Sequence, residues 1–198
     1  MENYSPVINL KDTFQTIDRL ATADSHYSVD LRTYIPNEKD PYSTFSFIKK
    51  MTLGHSSVSI SFQRGEKKRW ISFGFYPRLI PLPWFLLAPI PSVIRENTEA
   101  ATSATFSMQV SFQQYLLLRQ TALELSRQPY HFQTNNCTDF TVNLFSSISS
   151  SPIVLKPHTI HLPHRVIAYM TKVSVQKIVV NQTPQGLFQA IQVMNGPK

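Results

Sequence analysis

Between Ser56 and Tyr76 apolar and small polar residues alternate on both sides of the turn sequence Arg64-Gly65-Glu66-Lys67-Lys68, which is the pattern of a β-hairpin. Val58, Ile60 and Phe62 fall on one face, and a turn centred near Gly65-Glu66 sets them against Ile71, Phe73 and Phe75. The other face carries Ser57, Ser59, Ser61, Ser72 and Gly74, with His55 at its start. A one-sidedly apolar hairpin must bury that side under further elements, so the chain is bound to a layered fold. The serine face has two readings. Either it meets solvent, or its small side chains let a helix lie close against it.

The elements available as cover are helical. Ser111-x-x-Gln114 is a capping box that opens a helix through Leu116, Leu118 and Leu123 to about Ser126. A second helix begins at Cys137, with Phe140, Thr141, Leu144 and Phe145 on one face, and Thr183-Pro184 is an N-cap and N1 pair that starts a third. Strands are expected over residues 28–35, 105–110, 130–133 and 175–180, and residues 37–42 read as a turn-rich loop. The expectation is an α+β fold, a small antiparallel sheet packed on helices. Residues 1–198 form one domain, in which 1–27 is an N-terminal extension and 28–198 the core.

Composition narrows the classes. The greasiest stretch, Ile80 to Ile94, is interrupted by four prolines and reads as a buried loop rather than a membrane span. The first residues lack the basic and apolar regions of a secretory signal, so synthesis in a cytosol is expected. A net charge of +7 suits an anionic surface, but the only basic clusters are Lys49-Lys50 and Lys67-Lys68-Arg69. No helix carries a basic stripe interleaved with aromatics, which argues against nucleic acid. His158-x-x-His161-x-x-His164 has even spacing, yet Pro157 and Pro163 break any helix that would gather three ligands, so no metal and no other cofactor is expected. His26 and His131 read as surface or packing residues.

With a single cysteine no internal disulfide can form, and Cys137 is either a packing residue or a reagent. Its place in the first turn of a helix favours the thiolate, because the positive end of the helix dipole lies there. The surrounding sequence, Tyr130-x-x-x-x-Asn135-Asn136-Cys137-Thr138-Asp139-Phe140, resembles the signature of circularly permuted papain-like hydrolases. Gly54-His55-Ser56-Ser57-Val58 resembles the Gly-His strand that precedes the cysteine helix in those proteins, among them PPPDE isopeptidases, the lecithin:retinol acyltransferase group and NlpC-like amidases. The resemblance is closest to bacterial domains in which such a Gly-His strand, a strand like Ser72-Phe73-Gly74-Phe75-Tyr76-Pro77 and an Asn-Cys-Thr-x-Phe helix follow in order. It covers roughly residues 29–191.

The resemblance implies a mechanism. His55 takes the thiol proton, Cys137 attacks a carbonyl, and the imidazolium protonates the leaving group. The backbone N–H of Cys137 would hold the oxyanion, with an amide from Asn135 or Asn136 as a further candidate, although helix capping is the simpler role for both asparagines. Relatives orient the histidine with a polar residue of the next strand, and here Ser72 is the best candidate, leaving a dyad as open as a triad. Asp139 reads as a stabiliser of the helix N-terminus. The substrate would be an amide in a peptide, an isopeptide, a peptidoglycan stem or a glutamine side chain, and a secreted bacterial effector is the implied context. Two alternatives stand beside this one: an acyltransferase using the same dyad, whose apolar loop would face lipid, and a binding protein on a hydrolase scaffold.

Overall fold

A computed structural model describes residues 5–19, 21–41, 54–78, 88–97, 101–161 and 177–196. In chain order the elements are α1 (Leu10–Asp18), β1 (His26–Tyr34), β2 (His55–Arg64), β3 (Lys67–Pro77), β4 (Ser92–Glu96), β5 (Ala104–Val110), α2 (Phe112–Leu125), α3 (Cys137–Ser146), β6 (His158–His161), β7 (Lys177–Val180) and α4 (Pro184–Met194). The fold is α+β. Five strands form an antiparallel sheet in the order β4-β3-β2-β1-β5, and β6 and β7 make a separate two-stranded ribbon.

The hairpin takes the register that alternation implies. Arg64 pairs with Lys67 across the two-residue turn Gly65-Glu66, and Ile60 then faces Ile71 while Val58 faces Phe73. Gly65 has φ 56°, a left-handed conformation that glycine adopts without a steric penalty. The same parity carries into β1, where Tyr27, Val29 and Leu31 oppose Phe62, Ile60 and Val58. The four described helices send their buried residues to this inner face. Phe14 and Ile17 of α1, Tyr115 and Leu118 of α2, Phe140 and Phe145 of α3, and Leu187 and Ile191 of α4 join the strand residues in one core. Phe140 stacks on Phe75 with ring centroids 5.0 Å apart and meets the edge of Phe73 at 6.3 Å.

Each helix starts on a cap that the sequence announces. Ser111 and Gln114 close a capping box on α2, and Thr183 Oγ1 accepts the Gly186 N–H ahead of Pro184 in the first turn of α4. Two elements differ from expectation. Residues 10–18, read as part of an extension, form α1 and supply Leu10, Phe14 and Ile17 to the core. The described end of the proline-rich stretch, read as loop, contains β4, which pairs with β3 from Phe73↔Glu96 to Pro77↔Ser92. Residues 80–87 of that stretch lie outside the described residues.

Residues 130–133 also depart from the expected strand. Among the described residues Tyr130 makes a single bridge, to Ile90, and His131 bridges to Asn135, because the chain turns back on itself at once through reciprocal backbone hydrogen bonds between those two residues. Neither reading of the serine face holds along its middle. Ser57, Ser59 and Ser72 are buried, yet the helices pack on the opposite side. What fills the space is Arg32 of β1, whose guanidinium donates to Ser59 Oγ and Ser72 Oγ, each at 3.1 Å, and to Thr102 Oγ1 at 2.6 Å. Farther along, Ser28, Ser61, Lys68 and Trp70 line an open groove on this outer face.

Candidate active site

Cys137 is the first residue of α3, and its position is fixed by the cap in front of it. Asn136 Oδ1 accepts the N–H groups of Thr138 (2.7 Å) and Asp139 (3.3 Å), and Asp139 Oδ2 accepts the N–H of Asn136 at 2.9 Å. Asp139 therefore closes a capping box. Its burial raises the carboxyl pKa to about 6, although the backbone hydrogen bond from Asn136 works the other way. The second end of the Asn136 amide is also engaged, donating to Phe132 O and Gln182 O. Asn135 Nδ2 donates to Pro129 O at 2.6 Å. Both asparagines hold the loop and the cap rather than facing outward as free donors.

The Cys137 sulfur accepts the backbone N–H of Ser56 and a hydrogen bond from Thr138. Strand N–H groups lie in the plane of their sheet, so this contact brings a helix residue from the inner face up to the level of β2 itself. It does so at a seam. Pairing between β2 and β3 ends at Ser57↔Gly74, whereas β3 continues with β4 as far as Pro77. Ser56, the first residue past the last pair, is thus free to bind the sulfur. The Ser56 hydroxyl and Thr138 Oγ1 are 3.0 Å apart and fasten the helix start to the same point.

His55 precedes Ser56 and points to the outer face. Its ring stacks on Tyr76 with centroids 4.1 Å apart and an interplanar angle of 18°, and it passes directly over Gly74. A Cβ on Gly74 would overlap His55 Nε2, so the glycine makes room for the imidazole. Gly54 is needed for a different reason: it has φ 80°, and a Cβ there would overlap the Tyr34 carbonyl. Ser72 shares the outer face with His55 but pairs with Ser59, four residues along β2, and its hydroxyl is taken by Arg32. The hydrogen bond that sequence alone suggests between Ser72 and His55 is not made. No hydrogen bond joins the His55 ring to the Cys137 sulfur among the described residues; the two meet through the intervening backbone of Ser56.

Burial dominates the electrostatics. It raises the Cys137 thiol to about 11 against the help of the Ser56 N–H, and it lowers His55 to about 3. At neutral pH both groups are uncharged. Tyr76 and Tyr130 are raised by burial too, and each lies close enough to feel a charge on Cys137. Tyr130 is buried, and the nearby backbone N–H of Cys137 favours its ionised form against that burial. Beside the thiol is a cleft of about 40 Å³ whose walls include Gly54, Tyr130, Phe132, Gln182 and Pro184. That is room for little more than a water molecule. The turn leading from β7 into α4 forms one wall.

The remaining histidines stay apart from this arrangement. His131 Nδ1 lies 2.8 Å from Thr134 Oγ1, and His26 is exposed at the start of β1. His164 lies outside the described residues, among which no group of three or more His, Cys, Asp or Glu is placed to hold a metal ion. No described helix is long and apolar enough to cross a membrane. Comparison with protein-family models, with curated proteins and with solved structures returns no match.

Proposed function

We propose that this protein is a small thiol hydrolase of permuted papain-like architecture, with Cys137 as nucleophile and His55 as general base, acting on an amide or related acyl bond of a peptide, an isopeptide or a peptidoglycan stem. The observation that carries the reading is the Ser56 N–H held by the Cys137 sulfur, which sets the only thiol of the chain beside the histidine strand at the seam of the sheet. In the resting state the pair is a neutral thiol and a neutral imidazole. Proton transfer to His55 then accompanies attack on the carbonyl rather than preceding it. The developing oxyanion takes the Cys137 N–H, and the nearby Tyr130 hydroxyl serves as a second donor. For a substrate carbonyl to reach the sulfur, the turn at residues 181–185 moves aside, since the cleft is otherwise too small.

A second reading has its own observation. A thiol raised to about 11 in a closed cleft is what a binding protein on a hydrolase scaffold would also carry. Incubation with p-nitrophenyl acetate, followed by intact-mass measurement, separates the two. A hydrolase gives an acetyl adduct on Cys137 and turnover that Cys137→Ala abolishes and His55→Ala reduces to nearly the same level, with thermal melting unchanged in both. Wild-type turnover by Cys137→Ala, or no adduct in the wild-type protein, overturns the proposal.

A further inference from the structure

The central sheet ends differently on its two sides. At the β4 edge the N-terminal segment closes off the backbone: the Ile8 N–H donates to Ile94 O and the Glu96 N–H to Pro6 O, each at 3.0 Å. Beyond β5 no further strand follows among the described residues. The hydrogen bond that reaches β5 from off the sheet comes from Asn195 at the end of α4, whose Nδ2 donates to Thr105 O at 3.0 Å. That bond fixes which residues look outward. The N–H and C=O of one residue in an antiparallel strand point to the same side, and successive residues alternate. Since the Thr105 carbonyl points away from β1, the backbone groups of Thr105, Ser107 and Gln109 face the open edge, while those of Phe106 and Met108 face Leu31 and Val29 of β1.

Water satisfies such a row, but the row is also a template for another strand, and natural edges are usually blunted by lysine, proline or a covering segment. The β5 sequence, Ala-Thr-Phe-Ser-Met-Gln-Val, holds no lysine, no proline and no charge, in a chain of net charge +7. The occupant follows from that sequence. Antiparallel pairing about a two-fold axis through Ser107, the midpoint of β5, sets Ser107 against Ser107 of a second copy and Thr105 against its Gln109. All three outward residues then have hydrogen-bonded partners, about six bonds in all. Thr105 O keeps the Asn195 amide and accepts through its second lone pair. On the inner face the same register sets Phe106 against Met108 of the other copy. Both are half-buried against the core, and each covers the exposed part of the other. Along the whole strand no charge is brought opposite a like one, which a protein this basic needs if it is to meet its own kind. We infer that β5 is a homodimer interface, joining two copies edge to edge so that their five-stranded sheets become one continuous sheet. The seam between β2 and β3, on the other side of β1, takes no part in it.

Sedimentation equilibrium of the intact chain reads the dimer. Over about a hundredfold range of concentration the wild-type mass should rise from monomer toward dimer by mass action. Ser107→Pro removes the central N–H donor on the open side and leaves the bonds to β1 in place, so it should stay monomeric at the concentration where half of the wild type is paired. Two cysteine variants read the register. The axis puts the two Ser107 Cα atoms about 5.5 Å apart, within disulfide reach, so Ser107→Cys should cross-link under mild oxidant. The two Thr105 positions lie about 14 Å apart, so Thr105→Cys should not. Cys137 is buried, and the wild type under the same oxidant gives the background. A wild type that remains monomeric throughout overturns the inference and leaves the edge to a strand of another protein. A dimer that survives Ser107→Pro, or that cross-links equally at both cysteine positions, overturns it too. If Ser107→Pro fails to fold, the contrast between the cysteine variants decides alone.

Discussion

The two faces of the central sheet are built from the same strands by different means. On the inner face Val29, Leu31, Val58, Ile60, Phe73 and Phe75 are buried under helices, and the contacts are apolar and without direction. On the outer face the buried residues are serines, a glycine and an asparagine, and order is kept by hydrogen bonds from Arg32, Tyr76 and Asn97. Dispersion and desolvation stabilise the first; geometry specifies the second. Apolar packing and polar order are thereby separated across one layer of backbone, and they meet at the seam, where Cys137 arrives from one side and His55 from the other.

The comparison breaks most readily on the inner face. Phe140→Ala removes a ring packed between Phe75 and Phe73 and should cost about 3–5 kcal/mol, seen as a large fall in the denaturation midpoint. A loss below about 1 kcal/mol would mean that the inner face is not the source of stability claimed for it.

An intermediate effect is expected from pH. The unfolded chain protonates His55 below about 6.5, whereas the folded protein resists until about 3, so stability is lost as the pH falls through that window. At pH 5 the loss due to His55 is on the order of 2 kcal/mol. Asp139 acts in the opposite sense, because its raised pKa of about 6 lets the folded state take up a proton first, and it gives back some stability as the pH falls from there toward 3.8. Subtracting the profile of His55→Gln from that of the wild type isolates the histidine. Parallel profiles would show that the ring is hydrated and not sealed beneath Tyr76.

The smallest change is expected at Ser59→Ala on the outer face, which deletes one of several acceptors of the Arg32 guanidinium. Chemical denaturation should register a loss within about 1 kcal/mol. A larger loss would make the arginine network a second core rather than a fitting for the site.

The hairpin and the helix caps were legible because each rests on short-range rules: alternation fixes which side of a strand is buried, and Ser111, Asn136 and Thr183 announce where helices begin. The first helix also leaves a trace, Asn9 before Leu10, Phe14 and Ile17 at helical spacing, within residues that read otherwise as an N-terminal extension. Harder to see was β4. Its prolines suggested loop, and an edge strand tolerates Pro77 opposite Ser92 where a central one would not. With β4 read as loop, Ser72 from the strand that alternation could place is the only candidate partner the sequence offers His55. The face was right. What no local pattern supplies is that Arg32, 40 residues away, claims the serine hydroxyl first.

The seam between β2 and β3 also gives the sheet two ends of opposite character. At one, the strands part around the thiol; at the other, Arg64 and Lys67 close a two-residue turn, roughly 30 Å from His55 along the extended strand. Exposed side chains flank that turn, and the open space beside Gly65 leaves its surroundings indifferent to what is attached there. A dye or an affinity handle grafted at Gly65-Glu66 would therefore ride on the same two strands that frame the site without entering it. The hairpin thus spans the distance from the packed layer at the thiol to an open turn that the core does not constrain.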